Sequence, residues 1–408
     1  VVGLALFGSG ACGAGDGAAP STTTVAPTTT PPTTTPPTTA PPTTVRPTTG
    51  PPTEAGSEPV VIGAVLDLTG PDGAAAAASE AALRAVVADL DDRGLLGRPV
   101  RLVVRDGAGD LDATVAAAED VLAAGAALVV LGCRSDLAAA GAAVAEDRDA
   151  VAIAACAPTA EVGTAVGPST FSLGVPADVE GFALANTTAG WGVRSAVAVT
   201  DLARPGSIAR CEAFADRFAA LDGQVLVTVD LPVDAAASTG PAPADAVAAA
   251  VTQAAGAVVS CAGASSTAAL VAGLRAAGWT GPVLAGTGTE GLLGGDPALV
   301  GRVAVVGLVP GPDRTDPAAA RRDALAADAG VPIDDAAVAA AAAVELFAAA
   351  VEQVGSTDAV DVAPALGDGP VDTVLGTVAF DRTNRLARPL ALHLRVLDAD
   401  GVRTEDVP

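Results

Sequence analysis

Four short segments of this chain put hydroxyl, carboxylate or guanidinium groups directly after an apolar run: residues 133–136 (Cys-Arg-Ser-Asp), 156–159 (Cys-Ala-Pro-Thr), 201–207 and 287–290. Small hydroxyls and free backbone N–H groups at such points hold anions and polar small molecules, while nearby acids hold cations. Catalysis is poorly served. There is no Tyr and no Lys, and the single histidine, His393, has no sequence partner that suggests a triad. A structural role stays open at each position. Ser135 can cap the helix that starts at Asp136, and Asp201 and Glu290 can be surface or capping acids.

The elements that must position these groups alternate. Residues 60–68 form a β-branched apolar run, which reads as a buried strand; 69–73 is dense in turn formers; 74–93 has no Gly or Pro and reads as a helix; 100–104 is a second strand. This is a βαβ unit with a right-handed crossover. Helices over 112–124 (capped by Asp110 or Asp112) and 136–146 then alternate with strands over 127–131 and 150–155. A second series has strands at 195–199, 225–230, 257–261 and 282–285, with helices over 208–221, 243–254 and 266–277. Residues 303–309 are expected to return to the first lobe, followed by helices over 316–327 and 336–354 and a last strand over 390–397. The expected fold is α/β, with two Rossmann-like lobes, each built on a parallel central sheet. Such sheets bind ligands beyond the carboxyl ends of their strands, and the four segments lie there.

Composition narrows the function further. The chain has 408 residues and a net charge of −25, which argues against nucleic acid, whose phosphates need a basic face. Half of it is apolar and only 2% aromatic, so the cores must be filled by Ala, Val and Leu. With Arg as its only basic side chain, the composition reads as that of a high-GC bacterium. Neither a metal site nor a cofactor is expected. Trp191 and Trp279 each precede a strand and are expected to pack there rather than stack on a ligand.

Residues 1–7 are apolar and run into Gly-Ser-Gly-Ala-Cys-Gly at 8–13. That hexad matches a dinucleotide fingerprint, but Thr and Pro follow where the required helix should start. It reads better as the end of a secretory leader, with Cys12 resembling the lipidated cysteine of a bacterial lipobox; an ordinary cleaved leader is the alternative. The Thr/Pro repeats of 21–53 cannot build a core. In polyproline II form they would reach ~100 Å at about 3.1 Å per residue, a stalk. The organisation expected is a leader remnant over 1–19 and a stalk over 20–58. An exported protein is open to disulfides. Beyond Cys12, pairs Cys133–Cys156 and Cys211–Cys261 fit the order of strands best, with buried free thiols as the alternative.

Three motifs in order carry a resemblance: Ile-Gly-Ala-Val-Leu-Asp-Leu-Thr-Gly-Pro at 62–71, Thr-Phe-Ser-Leu-Gly-Val-Pro-Ala-Asp at 170–178, and Gly-Thr-Val-Ala-Phe-Asp-Arg-Thr-Asn-Arg-Leu at 376–386. From residue 59 onward the chain resembles the type I periplasmic binding proteins, and most of all the branched-chain amino-acid (Leu/Ile/Val) subfamily of ABC transporter substrate-binding lipoproteins. The resemblance implies three crossover segments between lobes, with 59–175 plus 308–374 in the first and 176–307 plus 375–408 in the second. It implies no enzymatic activity. It implies a monomer, anchored by lipid to the outer face of the cell membrane, that captures a small polar ligand such as an amino acid or amide for an ABC permease. Ser135, Ala157 and Thr159 map to the groups that hold a ligand carboxylate; Thr287 maps to the acid that holds an ammonium, with Asp201 and Glu290 as nearby substitutes. Pro205 stands where relatives carry Tyr, and Arg204 favours an anionic ligand. A sensor or surface-interaction protein on the same fold, with its amino-acid site lost, is the alternative.

Overall fold

A computed structural model describes residues 58–70, 72–157, 162–231, 244–294, 302–311, 313–388 and 391–407. All of them fall in one compact unit, Pro52–Pro408. Cys12, the stalk and Thr159 lie outside the described residues.

The first lobe opens with β1 (Val60–Leu66), α1 (Gly73–Arg93), β2 (Val100–Asp106), α2 (Leu111–Ala123), β3 (Ala126–Leu131), α3 (Ser135–Glu146), β4 (Val151–Ala154) and β5 (Thr170–Ser172). The second contains α4 (Ala177–Gly190), β6 (Ser195–Asp201), α5 (Pro205–Ala220), β7 (Gln224–Leu231), α6 (Ala244–Thr252), β8 (Ala257–Ser260), α7 (Ala264–Ala276), β9 (Val283–Ala285) and β10 (Val303–Gly307). The chain then forms α8 (Ala319–Ala329), α9 (Asp335–Val354), α10 (Ala359–Leu366), β11 (Val371–Thr373), β12 (Gly376–Phe380) and β13 (Ala387–Arg388), and ends in β14 (His393–Asp398) and β15 (Gly401–Asp406).

The first sheet has order β2-β1-β3-β4-β5, and every pairing in it is parallel. Its inner strands β1, β3 and β4 are continuous apolar runs because helices cover both faces. One face packs on α1 and α9, the other on α2 and α3. The second sheet has order β15-β14-β10-β9-β8-β6-β7; it is parallel from β7 to β10 and antiparallel across β14 and β15. Helix α9 is mostly apolar, and fifteen of its 20 residues are buried. It is long and apolar enough to cross a membrane. Its position against α1, α10, β3 and β4 makes it the central helix of a soluble core instead.

Three expectations are corrected. The run at 303–309 does not return to the first lobe: β10 is a central strand of the second sheet, with Val303–Gly307 paired to β14, and the crossing follows it. Residues 375–388, expected in the second lobe, pack on the first. The Phe380 ring lies 4.8 Å from that of Phe171, and Leu386 bridges to Ser172. The last strand is β15, a hairpin partner of β14, rather than the single strand expected over 390–397. Its charged, alternating sequence suits a solvated sheet edge and gives no apolar run to detect.

The cysteines divide. Cys133 and Cys156 are joined by a disulfide. Leu131 pairs with Ala154 in neighbouring parallel strands, and each cysteine follows two residues later, so the chain brings them side by side. The expected Cys211–Cys261 bond is absent: both are buried free thiols. Helix α5 aims the Cys211 Sγ at the carbonyl of Val199, 3.7 Å away. A hydrogen bond from Cys261 lowers the Cys211 thiol pKa, while burial pushes Cys261 well above the usual thiol range. Trp191 packs as expected, with its Nε1 donating to Glu405 at 3.1 Å and Arg302 stacked 3.7 Å from its ring centre.

Candidate functional site

In each βα unit the helix starts where the strand ends, so helix N-termini gather at one edge of each sheet. The two edges face each other. The first residues of α1, α3, α5, α7 and α9 line one cavity of about 160 Å³ between the lobes. Unpaired N–H groups and helix dipoles make such an edge attractive to negative charge.

On the first-lobe wall, Ser135 is the first residue of α3 and only 3% exposed. Among the described residues its Oγ has no hydrogen-bond partner. A buried hydroxyl without a partner costs free energy, which a ligand group can recover. Arg134 beside it is already engaged: its guanidinium donates to the Gly109 carbonyl at 2.8 Å and to Asp136 Oδ2 at 2.7 Å. The Cys133–Cys156 disulfide forms part of the same wall and ties the loop bearing Ser135 to the loop after β4.

On the second-lobe wall, Glu180 of α4 and Arg210 of α5 form a buried ion pair, 0% and 8% exposed. Thr287 Oγ1 donates to the same carboxylate, and Arg210 Nη1 donates to the Cys261 carbonyl at 3.1 Å. The pair meets because Gly181 lets α4 close on α5: a Cβ there would sit 2.5 Å from the Arg210 carbonyl oxygen. At the mouth, Arg204 bridges the lobes, 3.1 Å from Asp201 Oδ2 in its own lobe and 2.8 Å from Asp72 Oδ2 across the cleft.

A third charged group lies at the crossover. Asp335, at the start of α9, accepts the N–H groups of Leu308 and of Val309 (3.2 Å) and pairs with Arg395 at 3.0 Å. Arg395 also reaches Glu290, 3.4 Å away. Burial, reinforced by the charge of Asp335, pushes the Glu290 carboxyl up to about 8.

Of the residues expected at the site, Ser135 and Thr287 line the cavity. Thr287 offers its proton to Glu180 rather than to a ligand. Asp201 is buried behind Arg204 and orients it, also accepting the Ala203 N–H at 3.0 Å. Glu290 belongs to the crossover cluster. Ala157 is buried, and its carbonyl accepts the Ser172 hydroxyl at 3.2 Å, tying it to β5. Sequence reasoning missed Glu180, Arg210, Asp335 and the start of α7. The available signal was charge in the wrong place: Glu180 and Arg210 interrupt otherwise apolar helix faces, where an ion is tolerated only when paired.

The family model for periplasmic binding proteins matches residues 59–394. No curated protein matches the chain in sequence. Several solved structures share its fold. A solute-binding protein of an ABC transporter from R. palustris, in complex with benzoate, has a TM-score of 0.76 at 17% identity, over 86% of this chain and 96% of that one. The leucine-binding protein LivK from Thermotoga maritima has 0.74 at 18%, over 85% and 97%. The branched-chain amino-acid transporter substrate-binding protein LivJ from Streptococcus pneumoniae, in complex with isoleucine, has 0.74 at 15%, over 85% and 99%. Two α/β lobes joined by crossovers, a cleft ringed by helix N-termini, and a sequence match over most of the length lead to one conclusion: this chain belongs to the periplasmic binding protein family, the extracytoplasmic solute receptors of ABC transporters.

Proposed function

We propose that this protein closes its two lobes over a small carboxylate- or amide-bearing molecule and delivers it to an ABC permease. The observation that carries the reading is the buried Ser135 Oγ at the N-terminus of α3, which lines the cavity and has no hydrogen-bond partner among the described residues. A ligand oxygen placed there accepts the hydroxyl and the first N–H groups of the helix together. Lobe closure then draws its free energy from contacts that form only in the closed state. The same reading takes Cys12 as a lipid anchor, residues 21–53 as a spacer and the receptor as a monomer. Labelling with a palmitate analogue should mark the full-length chain and be lost in Cys12→Ala.

The test is thermal unfolding of the oxidised full chain with a panel of amino acids, amides, carboxylates and sugars. A ligand at 100 times its Kd stabilises by about 2.7 kcal/mol, a readable shift. Ser135→Ala should leave the ligand-free midpoint in place and weaken binding by about 1.5–3 kcal/mol, the usual worth of a hydrogen bond to a charged group. A bound ligand indifferent to that substitution would move the site elsewhere.

A further inference from the structure

Resting on that reading, we propose that the ligand is an organic carboxylate that carries no ammonium group. The charges around the cleft support this. Three acids line the cavity, and each has an arginine beside it: Asp72 with Arg204 at 2.8 Å, Asp136 with Arg134 at 2.7 Å, Asp335 with Arg395 at 3.0 Å. One layer behind, Asp201 shares Arg204 with Asp72, Glu290 shares Arg395 with Asp335, and Glu180 pairs with Arg210. Every carboxylate among the described residues that line the cavity thus has an arginine within 3.0 Å.

An α-amino acid brings two charges into this space. Its carboxylate is served by Ser135 and the start of α3. Its ammonium, stripped of water, needs an acid or several carbonyls of its own. To win one it must compete with an arginine already in place, and at Asp136 it would leave the Arg134 guanidinium with the Gly109 carbonyl alone. The helix N-termini at the cavity add positive potential and raise the cost. Thr287 is a poor substitute for the missing acid: its hydroxyl, donating to Glu180, offers an ammonium a lone pair but no negative charge.

The rest of the wall describes the body of the ligand. The Cys133–Cys156 disulfide, Pro205, Ala262, Leu308 and Ala336 present sulfur and carbon rather than further acids. The volume, about 160 Å³, is close to the roughly 150 Å³ of an engineered apolar cavity that takes up benzene. A carboxyl group one carbon from a ring, or on a short branched chain, fits both the volume and the polarity. Each candidate acid then has an α-amino counterpart that differs at one carbon.

Those matched pairs are the experiment. Isocaproate is titrated against leucine, and phenylacetate against phenylglycine, with phenylacetamide as the uncharged control, into the full oxidised chain by calorimetry. The expected result is that at least one acid binds more than about tenfold tighter than its amino counterpart, a difference of about 1.4 kcal/mol, and that it loses affinity in Ser135→Ala. Should leucine or phenylglycine bind as tightly as its des-amino partner, the ligand class is overturned; Ser135 dependence of that binding would leave the receptor reading standing. Heat from no member of either pair, in a protein that unfolds cooperatively, overturns the ligand class and the carboxylate site together.

Discussion

The two walls of the cleft come from the same kind of part, a parallel strand running into a helix, and they are finished differently. The first-lobe wall leaves a hydroxyl and the start of α3 open to the cavity. The second-lobe wall holds a full set of charges, and these are satisfied among themselves through Glu180, Arg210 and Thr287. Open polar groups bind, while paired buried charges set geometry. On the proposed reading, ligand capture falls to the first wall and wall shape to the second. The Arg204 bridge to Asp72 and Asp201 joins the two.

The largest effect should come from breaking the second wall from within. Glu180→Leu leaves Arg210 buried without its partner and should cost about 3–5 kcal/mol in urea unfolding. Adding Arg210→Met should restore most of it; no recovery would mean that the pair does more than neutralise itself. Next comes Gly181→Ala. Its new Cβ meets the Arg210 backbone oxygen at 2.5 Å, and prying α4 from α5 should cost about 1–3 kcal/mol. A neutral outcome would show that the helices are free to separate and that the wall is not rigid.

The crossover cluster sharpens the comparison through pH. The Glu290 carboxyl stands at about 8 against an ordinary 4.5, so the folded state holds this proton more tightly than the unfolded one. Its contribution to stability is full below about pH 4.5 and is lost as pH rises to about 8. Glu290→Gln should flatten the decline in melting temperature across that window; an unchanged slope would place the titrating group elsewhere. The smallest effect is expected at the mouth. Arg204 and Asp72 are 20% and 24% exposed, so Asp72→Asn should change stability by only about 0–1 kcal/mol. A larger loss would make this ion pair part of the wall rather than a tie between lobes.

Much of the architecture could be read from the chain, because it depends on local pattern. Apolar runs of strand length, Gly and Pro at their ends and Ala-rich helices between them specify βα units wherever they fall. The position of Ser135 followed from that order, since a residue just after a strand and just before a helix must lie at the sheet edge. The Cys133–Cys156 bond followed from the adjacency of consecutive strands. Tertiary structure decided the rest. Whether residues 376–388 belonged to one lobe or the other depended on the contact of Phe380 with Phe171, which no local signal carries. Which acids remained open to a ligand depended on arginines far away in sequence: Arg204 for Asp72, Arg395 for Asp335. Local sequence sets backbone geometry and the direction of each side chain. Charge pairing and thiol contacts are long-range facts, created only when the elements pack.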